Sequence, residues 1–268
     1  VQEVFPALMD YHAWWYRDRD HDGNGLCEYG STDGTRIAAA WESGMDNAVR
    51  FDDAVMVQNG PGAWSLSQES VDLNSYLFAE KGYLADLAEA LGRNGEAARL
   101  RGEREHLGDL IRTTMFDHET GYFHDVALET KEPIRVQGPE GWIPLWAGVA
   151  TQDQAVTVRD IMMDPAKFAG LVPFPTLAMD HPQFDPLNGY WRGPVWLDQA
   201  YFGVVALERY GFGEDASIMK DRLLRTPAGL TEDAPIFENY HPVTGEGLNA
   251  PHFSWSAAHL LLLLEGAR

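Results

Sequence analysis

Apolar positions along this chain recur mainly at intervals of three and four. Phe5, Leu8, Met9, His12 and Trp15 or Tyr16 trace one face of an amphipathic helix between residues 4 and 16. A long helix carrying Leu73, Tyr76, Leu77, Leu84, Leu87 and Leu91 is expected after a capping box at Ser65-Leu66-Ser67-Gln68, and Gly92 closes it. A second helix runs from Asn94 through Ala97, Leu100, Leu107, Ile111 and Met115. The short Gly92-Arg93-Asn94 link makes the two antiparallel neighbours, an αα-hairpin. Phe116 to Phe123 then reads as a polar turn between short aromatic strands.

Gly138-Pro139-Glu140-Gly141-Trp142 opens another apolar segment. Thr151, Asp153 and Gln154 cap a helix through Ala155, Val158 and Met162 that stops at Asp164-Pro165, giving a second hairpin. Pro194 is expected to start the third, with Val195, Trp196, Tyr201, Val204, Val205 and Leu207 before Gly211 and a partner helix from Gly213 to Leu224. The last helix begins near Ser254 and is apolar nearly all round, which predicts burial. Repeated αα-hairpins joined by long Gly/Pro- and aromatic-rich loops predict a mainly all-α fold, a helical toroid rather than a compact bundle. Its Trp-, Asp- and Glu-rich loops are expected to line one pocket.

The 41 acidic against 20 basic residues, formally −21, leave no basic stripe for a phosphate backbone or anionic lipid, so nucleic acid and membrane surfaces are poor partners. The single cysteine, Cys27, allows no internal disulfide, and the histidines show no zinc-type spacing. The only long apolar run is Leu260 to Leu264, far short of a membrane span. The chain opens on Val1 and drops straight into helical pattern, so its natural N-terminus is expected upstream.

Three stretches carry candidate chemistry. Trp41-Glu42-Ser43-Gly44-Met45-Asp46-Asn47 combines two carboxylates, an aromatic plate and a glycine. If a helix starts near Ser43, Glu42 and Asp46 lie one turn apart, and a carboxyl pressed against Trp41 has its pKa raised and holds a proton. Glu238, beside Asn239 and Tyr240, is in a polar setting that suits a base activating water. Asp20-His21-Asp22-Gly23-Asn24-Gly25-Leu26-Cys27-Glu28 places oxygen ligands at alternate positions with Gly at the sixth, as in an EF-hand-type calcium loop. Ser31 at the twelfth position cannot supply the usual bidentate carboxylate, so either a distant carboxylate completes the site or the loop is an Asx-rich turn.

The Trp41 to Asn47 stretch, Tyr190-Trp191-Arg192-Gly193-Pro194-Val195-Trp196 and Glu238-Asn239-Tyr240 with Phe253-Ser254-Trp255-Ser256 together resemble the signatures of glycoside hydrolase family 63, most of all its bacterial α-glucosidases. The neighbouring trehalases share a similar Glu-Ser-Gly-x-Asp element. The resemblance implies an (α/α)6 barrel and an exo-acting, inverting α-glucosidase, with Asp46 as general acid, Glu238 as general base and an oligosaccharide or small α-glucoside as substrate. It places Trp41, Gly44, Trp191, Arg192, Trp196 and Trp255 on the wall of the sugar subsite. It also implies a structural calcium ion held by Asp20, Asp22, Asn24, the Leu26 carbonyl and Glu28, with Glu69 replacing the missing twelfth ligand. The pattern yields fewer helices than a full barrel needs. Residues 1–268 are therefore expected to be the C-terminal portion of the catalytic domain, with a second polypeptide or an upstream segment supplying the rest. Trehalose or a glucosyl- or mannosylglycerate is an alternative substrate, and a calcium-stabilised sugar-binding fragment without turnover is an alternative role.

Overall fold

The computed structural model describes residues 1–230 and 233–266. Its α-helices are α1 (Phe5–Asp18), α2 (Arg36–Glu42), α3 (Val71–Ala90), α4 (Asn94–Leu110), α5 (Ile143–Ala147), α6 (Gln152–Met162), α7 (Leu197–Arg209), α8 (Gly213–Arg225) and α9 (Ser254–Glu265). The mainly helical character expected from periodicity is present, with short antiparallel strand pairs between the helices. No helix among the described residues is long and apolar enough to cross a membrane. The chain divides into two compact units. The first comprises residues 1–46, 50–135 and 149–151, and the second residues 47–49, 136–148 and 152–268.

In the first unit, Phe5 of α1 packs with Leu84, Ala85 and Ala88 of α3 and Ala97 and Leu100 of α4. Small alanines at the α3–α4 seam let the helices approach, and Gly92, at φ +74°, reverses the chain between them. The capping box expected at Ser65 is not what starts α3. Ser65 and Leu66 belong to a strand, Ala63–Leu66, that pairs with Met56–Gly60, and α3 begins only after Ser70. Its first turn is capped from a distance: the Val71 N–H donates to Asp125 Oδ1 at 2.8 Å, and Gln68 Nε2 donates to Asp125 Oδ2 at 2.8 Å. Arg50 joins this buried group, with Nη2 at 2.6 Å from Asp72 Oδ2 and Nη1 at 3.1 Å from Asp125 Oδ1.

In the second unit, Trp142 is fully buried against Phe168 and Phe174, its indole N–H donating to the Gln199 carbonyl in α7. Helix α7 starts at Leu197, three residues later than Pro194 suggested, because Val195 is taken into an antiparallel bridge: Val195 N–H donates to Tyr240 O at 2.8 Å and Tyr240 N–H to Val195 O at 2.9 Å. The expected burial of α9 also fails. Only Ser256 and Leu263 of this helix are buried, while Leu261 and Leu264 are 61% and 60% exposed. An apolar helix with that much surface in water lacks a covering neighbour among the described residues.

Candidate functional site

Thr35 caps α2, its Oγ1 accepting the Ala38 N–H, and the helix ends where a helix start was expected. Ser43 is its C-cap, with Oγ donating to the Ala40 carbonyl at 2.6 Å and accepting the Met45 N–H at 3.0 Å. Gly44, at φ +78°, then takes the left-handed conformation that terminates helices cheaply only with glycine. Asp46 therefore stands half-buried in a turn beyond the helix, not one helical turn from Glu42.

Glu42, to which the resemblance gave no acid role, is held in a buried ion pair. Its carboxylate receives Arg19 Nε at 2.9 Å and Nη2 at 2.8 Å, and the Gly30 N–H at 2.6 Å. Arg19 is almost wholly buried, lies over the Trp14 ring and donates to the Asp18 carbonyl. This two-pronged ion pair engages both oxygens of Glu42 and pins the end of α2 to the loop after α1. Trp41, by contrast, turns 61% of its surface to solvent. Beside Glu42 and Ser43 lies a pocket of about 350 Å³ lined by Tyr11, Trp15, Tyr29 and Tyr76.

The loop after α1 brings the predicted metal ligands together. Carboxylate oxygens of Asp20, Asp22 and Glu28 lie within 4.8 Å of one another. Asp20 accepts the N–H groups of Asn24 and Gly25, which folds the loop round its first ligand, and Glu28 accepts the His21 N–H. Glu69 joins from the residues preceding α3, receiving Asn24 Nδ2 at 2.6 Å, and Leu26 N–H binds Asn24 Oδ1 at 2.8 Å. Glu69 is fully buried, and its Oε2 has no hydrogen-bond partner. Burial pushes the Glu28 carboxyl up to about 9 and raises that of Asp20, as happens to anions withdrawn from water without enough positive charge nearby. A hard, oxygen-seeking cation fits this donor set.

In the second unit, Glu238 sits half-buried on the strand Phe237–Tyr240, paired with Gly247–Pro251. Tyr190 Oη donates to Glu238 Oε1 at 2.9 Å, and Ala250 N–H reaches Oε2 at 3.3 Å. Tyr190 holds φ +61°, an uncommon backbone for a bulky residue, and its carbonyl accepts the Trp196 indole N–H at 3.0 Å. Trp191 and Trp196 stack at 4.1 Å with their planes 10° apart, and Trp255 lies 5.6 Å from Trp196. Gly193 is needed between them, since a Cβ there would stand 2.6 Å from the Asp185 carbonyl oxygen. Asn47 fixes the same segment: its Oδ1 accepts the Trp191 N–H at 3.0 Å, its Nδ2 donates to Gly189 O at 3.0 Å and its carbonyl accepts Arg192 Nε at 2.7 Å. Arg192 also donates to Gln183.

Sequence reasoning missed four residues here. Tyr190 and Asn47 lie inside the quoted stretches but carried no assigned role, although a Tyr and an Asn flanking a Trp-rich loop are natural positioning groups. Arg19 had no signal beyond its charge, and Lys131, whose Nζ lies 2.8 Å from both Asp22 Oδ2 and Glu69 Oε1, sits far from the loop in sequence.

The Glu238 carboxylate, held by the Tyr190 hydroxyl, stands beside a tryptophan cluster in which Trp191 and Trp196 are each only 2% exposed and Trp255 is 40% exposed, so Trp255 is the ring of the three with substantial surface to offer a ligand. A family model described as the mannosylglycerate hydrolase MGH1-like glycoside hydrolase domain matches residues 1–256, and the chain belongs to that family, a branch of glycoside hydrolase family 63. It is 28% identical to mannosylglycerate hydrolase MGH1 of Selaginella moellendorffii, over 98% of this chain and 60% of that protein. It is 26% identical to the glucosylglycerate hydrolase of Mycolicibacterium hassiacum, over 86% of this chain and 50% of that protein. The crystal structure of the family 63 mannosylglycerate hydrolase from Thermus thermophilus in complex with glucose superposes with a TM-score of 0.80 at 25% identity, covering 99% of this chain and 68% of that one. The chain thus spans about three fifths of the length of the curated relative from Selaginella.

Proposed function

We propose that the protein hydrolyses a small α-hexoside with inversion, Asp46 acting as general acid and Glu238 as general base. The observation that carries this reading is Glu238 itself, oriented by Tyr190 Oη next to the stacked Trp191 and Trp196. The base removes a proton from water as that water attacks the anomeric carbon, and the acid protonates the departing glycosidic oxygen on the opposite face. Of the residues expected on the sugar wall, Trp41, Gly44, Arg192 and Trp255 have surface to offer a sugar in this scheme, while Trp191 and Trp196, each 2% exposed, act as backing for it.

Relatives named mannosylglycerate and glucosylglycerate hydrolase favour a hexosyl glycerate over the more general α-glucoside expected at first. The complete catalytic domain is an (α/α)6 toroid in this reading, and the exposed Leu261 and Leu264 face of α9 is surface for helices outside these 268 residues. A structural calcium ion is held by Asp20, Asp22, Asn24, the Leu26 carbonyl, Glu28 and Glu69. The unpartnered Glu69 Oε2 supports this.

Turnover of α-mannosylglycerate, α-glucosylglycerate, trehalose and maltose by the wild-type protein, Asp46→Asn and Glu238→Gln tests the proposal. Each substitution should cut kcat by at least about a hundredfold while leaving binding measurable, since proton transfer is lost and shape is kept. Near-normal turnover by either variant removes that residue from its role.

A further inference from the structure

The oxygen-rich loop holds two nitrogen donors where a metal ion needs oxygens. Lys131 Nζ lies 2.8 Å from Asp22 Oδ2 and 2.8 Å from Glu69 Oε1. Asn24 presents its amide nitrogen to the same Glu69 oxygen, because its Oδ1 is engaged by the Leu26 N–H. An ammonium group thus stands against two of the predicted calcium ligands. Lys131 follows the turn after residues Val126–Ala127, with its N–H on the Ala127 carbonyl and φ at +56°, so the turn delivers the side chain to the loop from a segment remote in sequence. The lysine side chain is 45% exposed, with water at hand to receive its ammonium group, whereas Glu69 is fully buried.

We propose that Lys131 is a tethered counter-cation of the calcium loop: it closes the loop in the metal-free protein and is displaced when the divalent ion enters. This rests on the calcium reading above. Four carboxylates, those of Asp20, Asp22, Glu28 and Glu69, converge on the loop, and a single positive charge offsets only part of their repulsion. A calcium ion brings twice the charge to the same oxygens, and two cations sharing Glu69 Oε1 at contact distance repel one another. The lysine and the ion therefore exclude each other. The consequence is a loop that stays folded when calcium is scarce, at the cost of a weaker apparent affinity for the ion. The chain alternates between a lysine-closed and a calcium-filled state.

The test is calcium titration calorimetry on the chelator-stripped full protein, alongside Lys131→Asn and Glu69→Gln. Asparagine removes the charge and tolerates the left-handed backbone. Lys131→Asn should bind calcium about tenfold more tightly or better, and its metal-free form should melt below the metal-free wild type. In the wild-type protein, labelling of Lys131 by an amine-acetylating reagent, read by peptide mass spectrometry, should rise when calcium is added. That second measurement needs no variant. Equal calcium affinity of wild type and Lys131→Asn, with binding lost in Glu69→Gln, overturns the lysine's role and leaves the calcium site standing. Labelling that calcium does not change also overturns it. Absence of calcium binding to every form at millimolar concentration overturns both.

Discussion

Glu42→Gln separates a structural carboxylate from a catalytic one within the same motif. Glutamine keeps the shape and one acceptor oxygen for the Gly30 N–H but removes the charge opposite Arg19. The guanidinium is left almost wholly buried, with side-chain exposure of 2% against 22% for Glu42. Breaking a buried ion pair by neutralising one partner typically costs about 3–5 kcal/mol. Because water reaches part of Glu42, the lower end applies, about 3 kcal/mol. For a domain of this size each kcal/mol moves the melting temperature by about 2–4 °C, so a fall of about 6–12 °C is expected. The assay is thermal denaturation by circular dichroism, with kcat measured well below the new midpoint. Turnover per folded molecule should be largely retained. Pairing the change with Arg19→Met should recover part of the loss, since the double variant no longer buries an unmatched charge, and a coupling of about 2 kcal/mol is expected. A melting temperature within about 2 °C of wild type with turnover abolished would refute this reasoning and return Glu42 to the candidate proton donors.

Arg50→Met should destabilise still more, by about 4 kcal/mol or above, because it strands Asp72 and Asp125, both essentially inaccessible, without their shared cation; denaturant unfolding measures it. The pH dependence has a definite sign at Asp117. Partial burial alone raises its carboxyl, but Arg135 Nε at 2.8 Å and the Glu119 N–H outweigh that and lower it to about 2. A depressed acid adds stability above its ordinary value of 3.8 and loses it as pH falls through about 2, so an acid titration of stability should show a step between these values that Asp117→Asn lacks.

What the sequence disclosed and what it hid follow from how local each signal is. The α3–α4 hairpin was legible because Leu84, Leu100 and their neighbours repeat at helical spacing and Gly92 marks the reversal. The acidic loop was legible because the carboxylates that cluster there, Asp20, Asp22 and Glu28, lie within nine residues. The starts of α3 and α7 were not, because their determinants are long-range: Asp125 caps α3 from the link between the strands Tyr122–Phe123 and Val126–Ala127, and the Tyr240 backbone captures Val195. Likewise, Ser43 is as good a cap at a helix end as at a start, and only the φ of Gly44 decides between them. The apolar pattern of α9 led to an expectation of burial that the structure does not meet, with Leu261 and Leu264 exposed, because composition alone does not say which segment would cover a helix. Arg19 and Lys131 were invisible as site residues because a lone cation in a sequence carries no address for its carboxylate.

The measurement that bears most directly on the central claim is the anomeric form of the first sugar released. Proton NMR of α-mannosylglycerate hydrolysis by the protein, recorded before mutarotation sets in, should show β-mannose appearing first, as single displacement by a Glu238-activated water requires. First appearance of α-mannose, or a trapped glycosyl-enzyme, would contradict both the inverting mechanism and the roles given to Asp46 and Glu238.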